Sequence, residues 1–394
     1  MDIYLLDWAS LLLRWLHVIT AIAWIGASFY FVWLDNHLVR PQAADLQAKG
    51  VDGELWAVHG GGFYNPQKYR AAPADLPRDL HWFYWESYWT WMSGFALFVV
   101  LYLFNAGQML VDARVHAWGA PWQAVCAALG FLVMGTVVYE IACQALGRTR
   151  DGGIGNDGRV LAVVAVFVVF AAWLAGQLFA GRAAFLIVGA MIATLMTANV
   201  AHWIIPGQRK VIAQMRAGEP VDPRHGQRGK QRSVHNTYFT LPVLVAMLSN
   251  HYGLLYQHPH NWAVLSALMA AGVAIRVFFV KRHKGVNSLG AAAAALALLA
   301  GLVAWLAPPA APPAAARPPV TLGEVQAVVA QRCAVCHAGA AAQKGVRLDS
   351  AEALAAHRGA IYQQVVVQRA MPLGNATAMT DDERALVGRW AAQP

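Results

Sequence analysis

Charged residues are scarce in this chain of 394 residues. Only 13% of its residues are Asp, Glu, Lys or Arg, about half of the share that is usual in soluble domains. Apolar residues make up 58% before glycine is counted, and the mean hydropathy is +0.41. This composition excludes a soluble enzyme, a disordered chain and a collagen-like polymer, and it predicts a protein whose surroundings are membrane lipid.

The first ten residues lack lysine and arginine and contain Asp2 and Asp7. A cleaved signal peptide begins with a positively charged stretch, so the first apolar run is expected to remain in the protein. Eight runs approach the roughly 20 residues that cross a bilayer: 8–34, 82–105, 122–144, 160–180, 183–206, 237–254, 262–281 and 289–307. The sequence therefore predicts an all-α fold, with an eight-helix transmembrane bundle over residues 1–307.

Basic residues are rare outside one set of alternate loops. The loops after the first, third, fifth and seventh runs hold eighteen lysines and arginines, whereas the other loops hold only Arg114 and Arg182. Positive charge marks cytoplasmic loops, so both ends of the bundle are expected outside the cytoplasm. The net charge of +9 is explained by this topology, and no nucleic-acid partner is expected.

The chain changes character after the last apolar run. Residues 308–319 read PPAAPPAAARPP. Dense proline favours an extended tether of roughly 3 Å per residue, although a disordered spacer is consistent with the same sequence. Residues 320–394 contain no long apolar run. They are predicted to form a small all-α domain outside the cytoplasm.

Only four cysteines are present, and two of them stand in the sequence Cys333-Ala334-Val335-Cys336-His337. This spacing is typical of c-type haem attachment, in which the two thiols bind the porphyrin covalently and the histidine binds the iron. A structural zinc site needs four protein ligands, and a thioredoxin-type pair expects a βαβ setting. We therefore predict a covalent haem c on Cys333, Cys336 and His337.

A second iron ligand is expected downstream of this motif. Met371 lies at the distance typical of a sixth ligand, so His337 and Met371 are the predicted iron ligands. Met379 is the competing thioether, but it immediately precedes a predicted helix. Two capping boxes predict helices on either side of the motif: Thr321 with Glu324, and Thr380 with Glu383. These features together resemble a class I cytochrome c.

Polar side chains within the apolar runs are costly in lipid and often mark function. One group lies toward the cytoplasm: His81, Glu86, Glu140, Asn199, His202, Asn236 and Arg276. A helix–helix hydrogen bond explains any one of them as well as a functional role does, but the whole group predicts a shared internal cavity. Toward the outside, Arg14 and His17 share one face of the first predicted helix.

Four segments carry a resemblance to a known family: ELWAVHGGGFYNPQKY at 54–69, WFYWESYWTWMSGFAL at 82–97, TANVAHWIIPGQRKV at 197–211 and HNTYFTLPVLVAMLSNHY at 235–252. The set resembles the bacterial membrane-bound urate oxidases of the PuuD type over essentially the whole chain. The resemblance implies oxidation of urate to 5-hydroxyisourate in purine breakdown at the bacterial inner membrane. Electrons would pass to the fused cytochrome on the periplasmic side, and then to an extracytoplasmic acceptor such as a soluble cytochrome or a terminal oxidase.

The resemblance brings no catalytic assignment, so the site is inferred from the residues. Oxidation of an anionic purine needs a proton acceptor and an orienting cation. His202 or Glu86 is the expected proton acceptor, and Arg276 is the expected cation. Asn199 is expected to form hydrogen bonds with the edge of the purine ring.

The path of the electrons sets a further requirement on the bundle. A cavity on the cytoplasmic side would lie about 30 Å of hydrocarbon away from an outer haem. We therefore hypothesise a second, non-covalent haem b, with His17 as its leading ligand.

Two other functions remain open: an electron carrier that serves another membrane dehydrogenase, and a transporter with a redox appendage.

Overall fold

The apolar runs become helices because a helix satisfies its own backbone hydrogen bonds where no water is available. A computed structural model describes residues 2–69, 73, 76–149, 153–307, 319–339 and 342–393. Its N-terminal helices are α1 Asp2–His37, α2 Ala44–Ala48, α3 Trp85–Phe98, α4 Ala106–Met109, α5 Pro121–Leu146, α6 Asp157–Leu178, α7 Gly181–Ala198, α8 Ile205–Arg216, α9 Pro223–Leu248, α10 Gly253–Tyr256, α11 Asn261–His283 and α12 Leu289–Trp305. The predicted all-α class is confirmed.

Five helical stretches in the described residues are long and apolar enough to cross a membrane: Asp7–His37, Pro121–Leu146, Asp157–Leu178, Gly181–Arg216 and Asn261–His283. The chain thus has the helices of a membrane protein. The other three predicted runs also coincide with helices. They are α3, which continues as a π-helical turn over Val99–Leu103, α9, which begins with a polar half, and α12, which has 17 residues. The count of eight spans stays a prediction.

Four short strands occupy the loop between α1 and α3: β1 Val51–Glu54, β2 Ala57–His59, β3 Gly62–Tyr64 and β4 Gln67–Tyr69. β1 pairs with β4, and β2 pairs with β3, both antiparallel. Gly60 and Gly61 join β2 to β3 with φ of 58° and 80°, a conformation that glycine adopts without strain. The glycine-rich segment is therefore the turn of a hairpin.

Helix α7 forms the centre of the bundle, because it is apolar on every side and packs against α5, α6 and α9. Glycines let neighbouring helices approach it closely. A Cβ at Gly135 of α5 would overlap Met191, and a Cβ at Gly189 would lie 2.9 Å from Ala246 of α9. α1 packs mainly on α3, and α12 packs on α11.

The C-terminal helices are α13 Leu322–Arg332, α14 Ala334–His337, α15 Ala351–Ala356, α16 Arg358–Ile361 and α17 Asp381–Ala391, and a π-helical turn, Tyr362–Val367, follows α16. Both predicted capping boxes are present, at the starts of α13 and α17. These helices bury an apolar core of their own, which includes Val325, Leu354 and Trp390. Residues 308–318 of the predicted tether lie outside the described residues.

Candidate functional site

A π-helical turn, Asn199–Ile204, follows α7 and leads into α8. Pro206 follows it and has no N–H to donate to the preceding turn, which favours a local change of helical register. The turn borders a cavity of about 220 Å³, lined by Thr136, Tyr139, Glu140, Gln144, Leu195, Ala198, Asn199, His202 and Trp203. Two of the predicted catalytic residues, Asn199 and His202, therefore lie at one cavity.

A buried ion pair crosses this part of the bundle. The Nη2 of Arg232, whose side chain is only 4% exposed, lies 2.9 Å from the Oε2 of Glu140. The indole of Trp203 donates to the same oxygen at 2.9 Å, and the Arg232 guanidinium lies 4.9 Å from the ring centre of Tyr139. Arg232 lies between the apolar runs that end at residue 206 and begin at residue 237, in a loop that is predicted to be cytoplasmic, but helix α9 carries it into the bundle.

Asn199 is the centre of a hydrogen-bonded chain. Its Nδ2 donates to the Tyr139 hydroxyl at 3.0 Å and to the Asn236 Oδ1 at 2.8 Å. The Tyr139 hydroxyl shares a hydrogen bond of 2.8 Å with the Nδ1 of fully buried His235, whose Nε2 lies 3.5 Å from the Oδ1 of Asp157. Both amide protons of Asn199 are therefore bound by the protein itself. We call Tyr139, Glu140, Asn199, Arg232, His235 and Asn236 the Glu140 cluster.

Arg276 of α11 lies apart from that cavity lining and packs against α1. Its side chain is buried, with 4% of the residue exposed, and its guanidinium lies 3.9 Å from the ring centre of Phe29. Its Nε and Nη2 have no hydrogen-bond partner among the described residues. The structure therefore does not bring Arg276 to the cavity that Asn199 and His202 share.

Glu86 and His17 lie on the neighbouring pair α3 and α1. Glu86 is in the first turn of α3, half-buried. The Nδ1 of His17 lies 3.0 Å from the carbonyl oxygen of Thr90, a contact that requires the hydrogen on Nδ1. That tautomer leaves Nε2 as the nitrogen that can bind a metal.

With the bundle described, the sequence can be compared with known proteins. The profile of the family described as "Urate oxidase N-terminal" matches residues 3–307, which is most of the chain. The chain belongs to the urate oxidase N-terminal family. Neither a curated protein nor a solved structure matches it significantly. Membership indicates a urate-related oxidation, and therefore an oxidoreductase with urate as its substrate.

In this urate oxidase family member, residues beyond the matched range hold the predicted haem-attachment motif. The Nδ1 of His337 lies 3.0 Å from the carbonyl oxygen of Val346, so Nε2 is again the nitrogen left for a metal. Cys333 and Cys336 are free thiols, both partly buried, and burial raises the pKa of Cys333 to about 11. The donor set and the imidazole orientation fit a c-type haem.

Both candidate methionines belong to the C-terminal core. Met379 is almost fully buried, and the side-chain amide of Asn375 bonds its backbone on both sides. Met371 is half-buried, and its carbonyl oxygen accepts a 2.7 Å hydrogen bond from buried Arg384. Arg384 also bonds the Val365 carbonyl at 2.7 Å, so it fixes the Met371 loop. No sequence pattern predicts this role of Arg384, which lies one residue after the capping-box glutamate.

An ion pair ties α13 to α17. The guanidinium of Arg332 lies 2.9 Å from the Oε1 of Glu383. Burial acts to raise the pKa of Glu383, but hydrogen bonds from Thr380 and the charge of Arg332 outweigh it, so the pKa is lowered. The carboxylate is therefore stabilised in its charged form.

The C-terminal helices touch the end of the bundle at which α10 lies. The Gln257 side chain donates to the carbonyl oxygen of Arg369 at 2.6 Å, and Lys344 lies 2.7 Å from Asp7. Gly253 packs against the backbone of Gln368 so closely that a Cβ would overlap the carbonyl oxygen. The segment next to Met371 therefore contacts the bundle directly.

Proposed function

We propose that this chain oxidises urate to 5-hydroxyisourate in its membrane part and passes the electrons to a covalent haem c. The observation that carries the proposal is the presence in one chain of two features. The urate oxidase N-terminal match covers residues 3–307, and the haem motif follows, with its histidine oriented by Val346. Cys333 and Cys336 would hold the porphyrin, and His337 and Met371 would bind the iron.

The reaction balances without oxygen as a substrate. Urate and one water give 5-hydroxyisourate, two protons and two electrons, so the new hydroxyl oxygen comes from water. A c-type haem, when bound, accepts one electron at a time. Each turnover therefore needs two successive transfers, followed by reoxidation by an extracytoplasmic acceptor such as a soluble cytochrome or a terminal oxidase.

The chain's own residues supply the rest of the chemistry. Arg276 is the proposed cation for the substrate anion, and Glu86 and His202 are the proposed proton acceptors. Asn199 and His202 border a cavity that the structure separates from Arg276, so the proposed residues fall in two parts of the bundle; the bonds of Asn199 to Tyr139 and Asn236 hold its orientation.

Three parts are proposed: the membrane domain 1–307, the tether 308–319 and the cytochrome domain 320–394. The charge distribution supports an inner-membrane protein with both ends, and hence the cytochrome, on the periplasmic side. A non-covalent haem b at His17 is the proposed relay between a deep substrate site and the outer haem, and the available Nε2 of His17 supports it.

Anaerobic reduction of the purified protein by urate tests the proposal. Urate alone should reduce the haem to the extent that dithionite does, with two haem equivalents reduced per urate consumed. Reduction by dithionite but not by urate would refute the oxidase function and favour the electron carrier. Uptake of unchanged urate into vesicles would favour the transporter. A pyridine haemochrome spectrum of the same sample counts the haems, and c-type bands alone would remove the haem b relay.

A further inference from the structure

One edge of the Arg276 guanidinium is free. The atoms Nε and Nη2 point their N–H groups in parallel along the same edge, and both atoms are buried without a partner among the described residues. Two parallel donors of this kind fit two adjacent acceptor atoms of a planar anion. The unpaired edge is therefore a pair of parallel donors without an acceptor, and because both atoms are enclosed, a ligand reaches them only when the packing around Arg276 opens.

Other arginines of this chain show what that edge binds. In three of them, Nε and Nη2 hold a carboxylate two residues away, at 2.7–3.2 Å: Arg114 with Asp112, Arg224 with Asp222 and Arg347 with Asp349. Among the described residues, Arg276 has no such carboxylate. A buried, uncompensated guanidinium is unfavourable in a bundle that lies in lipid, unless a ligand supplies the missing acceptors.

Aromatic side chains lead from the cytoplasmic end of the bundle to Arg276. Phe29, Trp33 and His37 share one face of α1 at intervals of four residues, and Trp33 stacks on His37 at 4.7 Å. Across from them, His283 lies two turns beyond Arg276 on α11, with its ring 5.4 Å from that of His37. This seam between α1 and α11 is lined by aromatic rings that pack on one another and on the buried cation at its inner end; a planar ligand that enters the seam can stack on these rings.

The Glu140 cluster cannot serve an anion in the same way. Its arginine is already neutralised by Glu140 at 2.9 Å, and the carboxylate itself lines the cavity. An anion that entered there would meet the negative oxygen of Glu140 and the amide of Asn199, whose two protons are already bound. Electrostatics therefore favours the Arg276 seam over the cavity.

We propose that Arg276 binds the substrate as a planar anion, with Nε and Nη2 donating to a deprotonated ring nitrogen and the adjacent carbonyl oxygen. The binding site is the α1–α11 seam, with Phe29 stacked on the guanidinium. This inference rests on the proposed urate oxidation, because it assigns a place to the substrate of that reaction.

Variants of Arg276 test the inference in the full-length, haem-loaded protein. Arg276→Gln should raise the half-saturating urate concentration about 100-fold, because it removes charged donors to an anion. It should leave the dithionite-reduced haem spectrum unchanged. Arg276→Lys keeps the charge but loses the parallel donors, so its half-saturating concentration should lie between those of Arg276→Gln and wild type. Arg282→Gln, on the exposed end of the same helix, is the matched control and should change that concentration less than twofold.

Two further measurements separate the possible failures. Guanidinium added to an Arg276→Gly variant should restore urate-dependent haem reduction, a rescue that a purely structural arginine would not show. Calorimetric titration of the oxidised protein with urate measures binding without turnover. If wild type binds urate and reduces haem but Arg276→Gln does so with unchanged affinity, the seam is not the site, although the oxidase function stands. If wild type binds urate through Arg276 without haem reduction, the inference stands and the oxidase function fails.

Discussion

The ion pair between Glu140 and Arg232 allows a sharp prediction, because its two members are buried to different extents. The Arg232 side chain is 4% exposed, whereas that of Glu140 is 27% exposed. Glu140→Leu leaves a guanidinium that can neither deprotonate nor reach water, and it removes the acceptor of the Trp203 indole as well. We expect a loss of about 3–5 kcal/mol in the free energy of unfolding.

The reverse substitution should cost less. Arg232→Met fills a similar volume and leaves a carboxylate that can take up a proton or reach the cavity, so we expect a loss of about 1–3 kcal/mol. Removing both charges in Glu140→Leu with Arg232→Met should recover most of the stability that Glu140→Leu loses, because no buried charge is then left alone.

Thermal unfolding in detergent, followed as loss of the monodisperse peak in size-exclusion chromatography, measures all three variants. The haem absorbance of each sample provides an independent check that the C-terminal part is intact. The reasoning is wrong if Arg232→Met destabilises the protein more than Glu140→Leu does. It is also wrong if the double variant is as unstable as the sum of the two single ones, since the pair would then have no coupling energy.

Two more predictions concern the C-terminal part. Gly253→Ala should push the Met371 segment away from the bundle, and so slow haem reduction by urate without changing the haem spectrum. The control is Gly301→Ala, at a glycine with open space around it, which should leave the rate of haem reduction unchanged. Equal rates in the two variants would mean that electrons do not pass through this contact. Glu383→Gln should lower the thermal stability of the C-terminal helical part at neutral pH. Because the folded pKa of Glu383 is depressed, wild type keeps this advantage above the pKa of an unfolded glutamate, about 4.3, and loses it as the pH falls through the folded value. A stability difference that is the same at pH 3 and pH 7 would contradict the role of the ion pair with Arg332.

The helical class and the positions of the apolar runs were predictable because lipid leaves the backbone few alternatives. Helix starts were also predictable where the sequence contains a full capping box. At Thr321 and Thr380, a side-chain oxygen three residues before a glutamate is sufficient to start a helix, and both capping boxes are present. These features depend on neighbours within one turn, so no tertiary information is needed.

Glu140, Asn199 and Asn236 were predicted as members of one polar group, but Arg232 and His235 were missed because one helix begins earlier than its apolar run. Hydropathy starts the sixth run at residue 237, but α9 starts at Pro223, where Asp222 accepts the backbone N–H of Arg224. Aspartate followed by proline is itself a helix-start signal. Had it been used, residues 232, 235, 236 and 239 would have fallen on one helical face, and Arg232 and His235 would have been candidates.

The two buried arginines of the bundle, Arg232 and Arg276, show why residue type alone could not tell which polar residues share a site. Arg232 and Arg276 are equally buried, yet one has its counter-ion within the protein and the other has none among the described residues. The presence or absence of a counter-ion depends on which helix each arginine faces, so it can be seen only once the packing of α9 and α11 is known. The sequence therefore predicted a single shared cavity, whereas the structure separates a neutral cluster from an uncompensated cation.

The depth of Arg276 limits how electrons can leave the substrate. Fifteen helical residues separate it from Asn261 at the start of α11, and at 1.5 Å per residue this amounts to about 22 Å. His17 lies twelve residues before Phe29 on α1, so its imidazole is about 18 Å from the seam along the bundle axis, most of the way to the far end. A substrate held at Arg276 would lie about 22 Å of depth from the end of the bundle that the C-terminal helices touch. An acceptor at the depth of His17 would leave a longest step of about 18 Å, and the orientation of the His17 ring by Thr90 leaves Nε2 available to bind one.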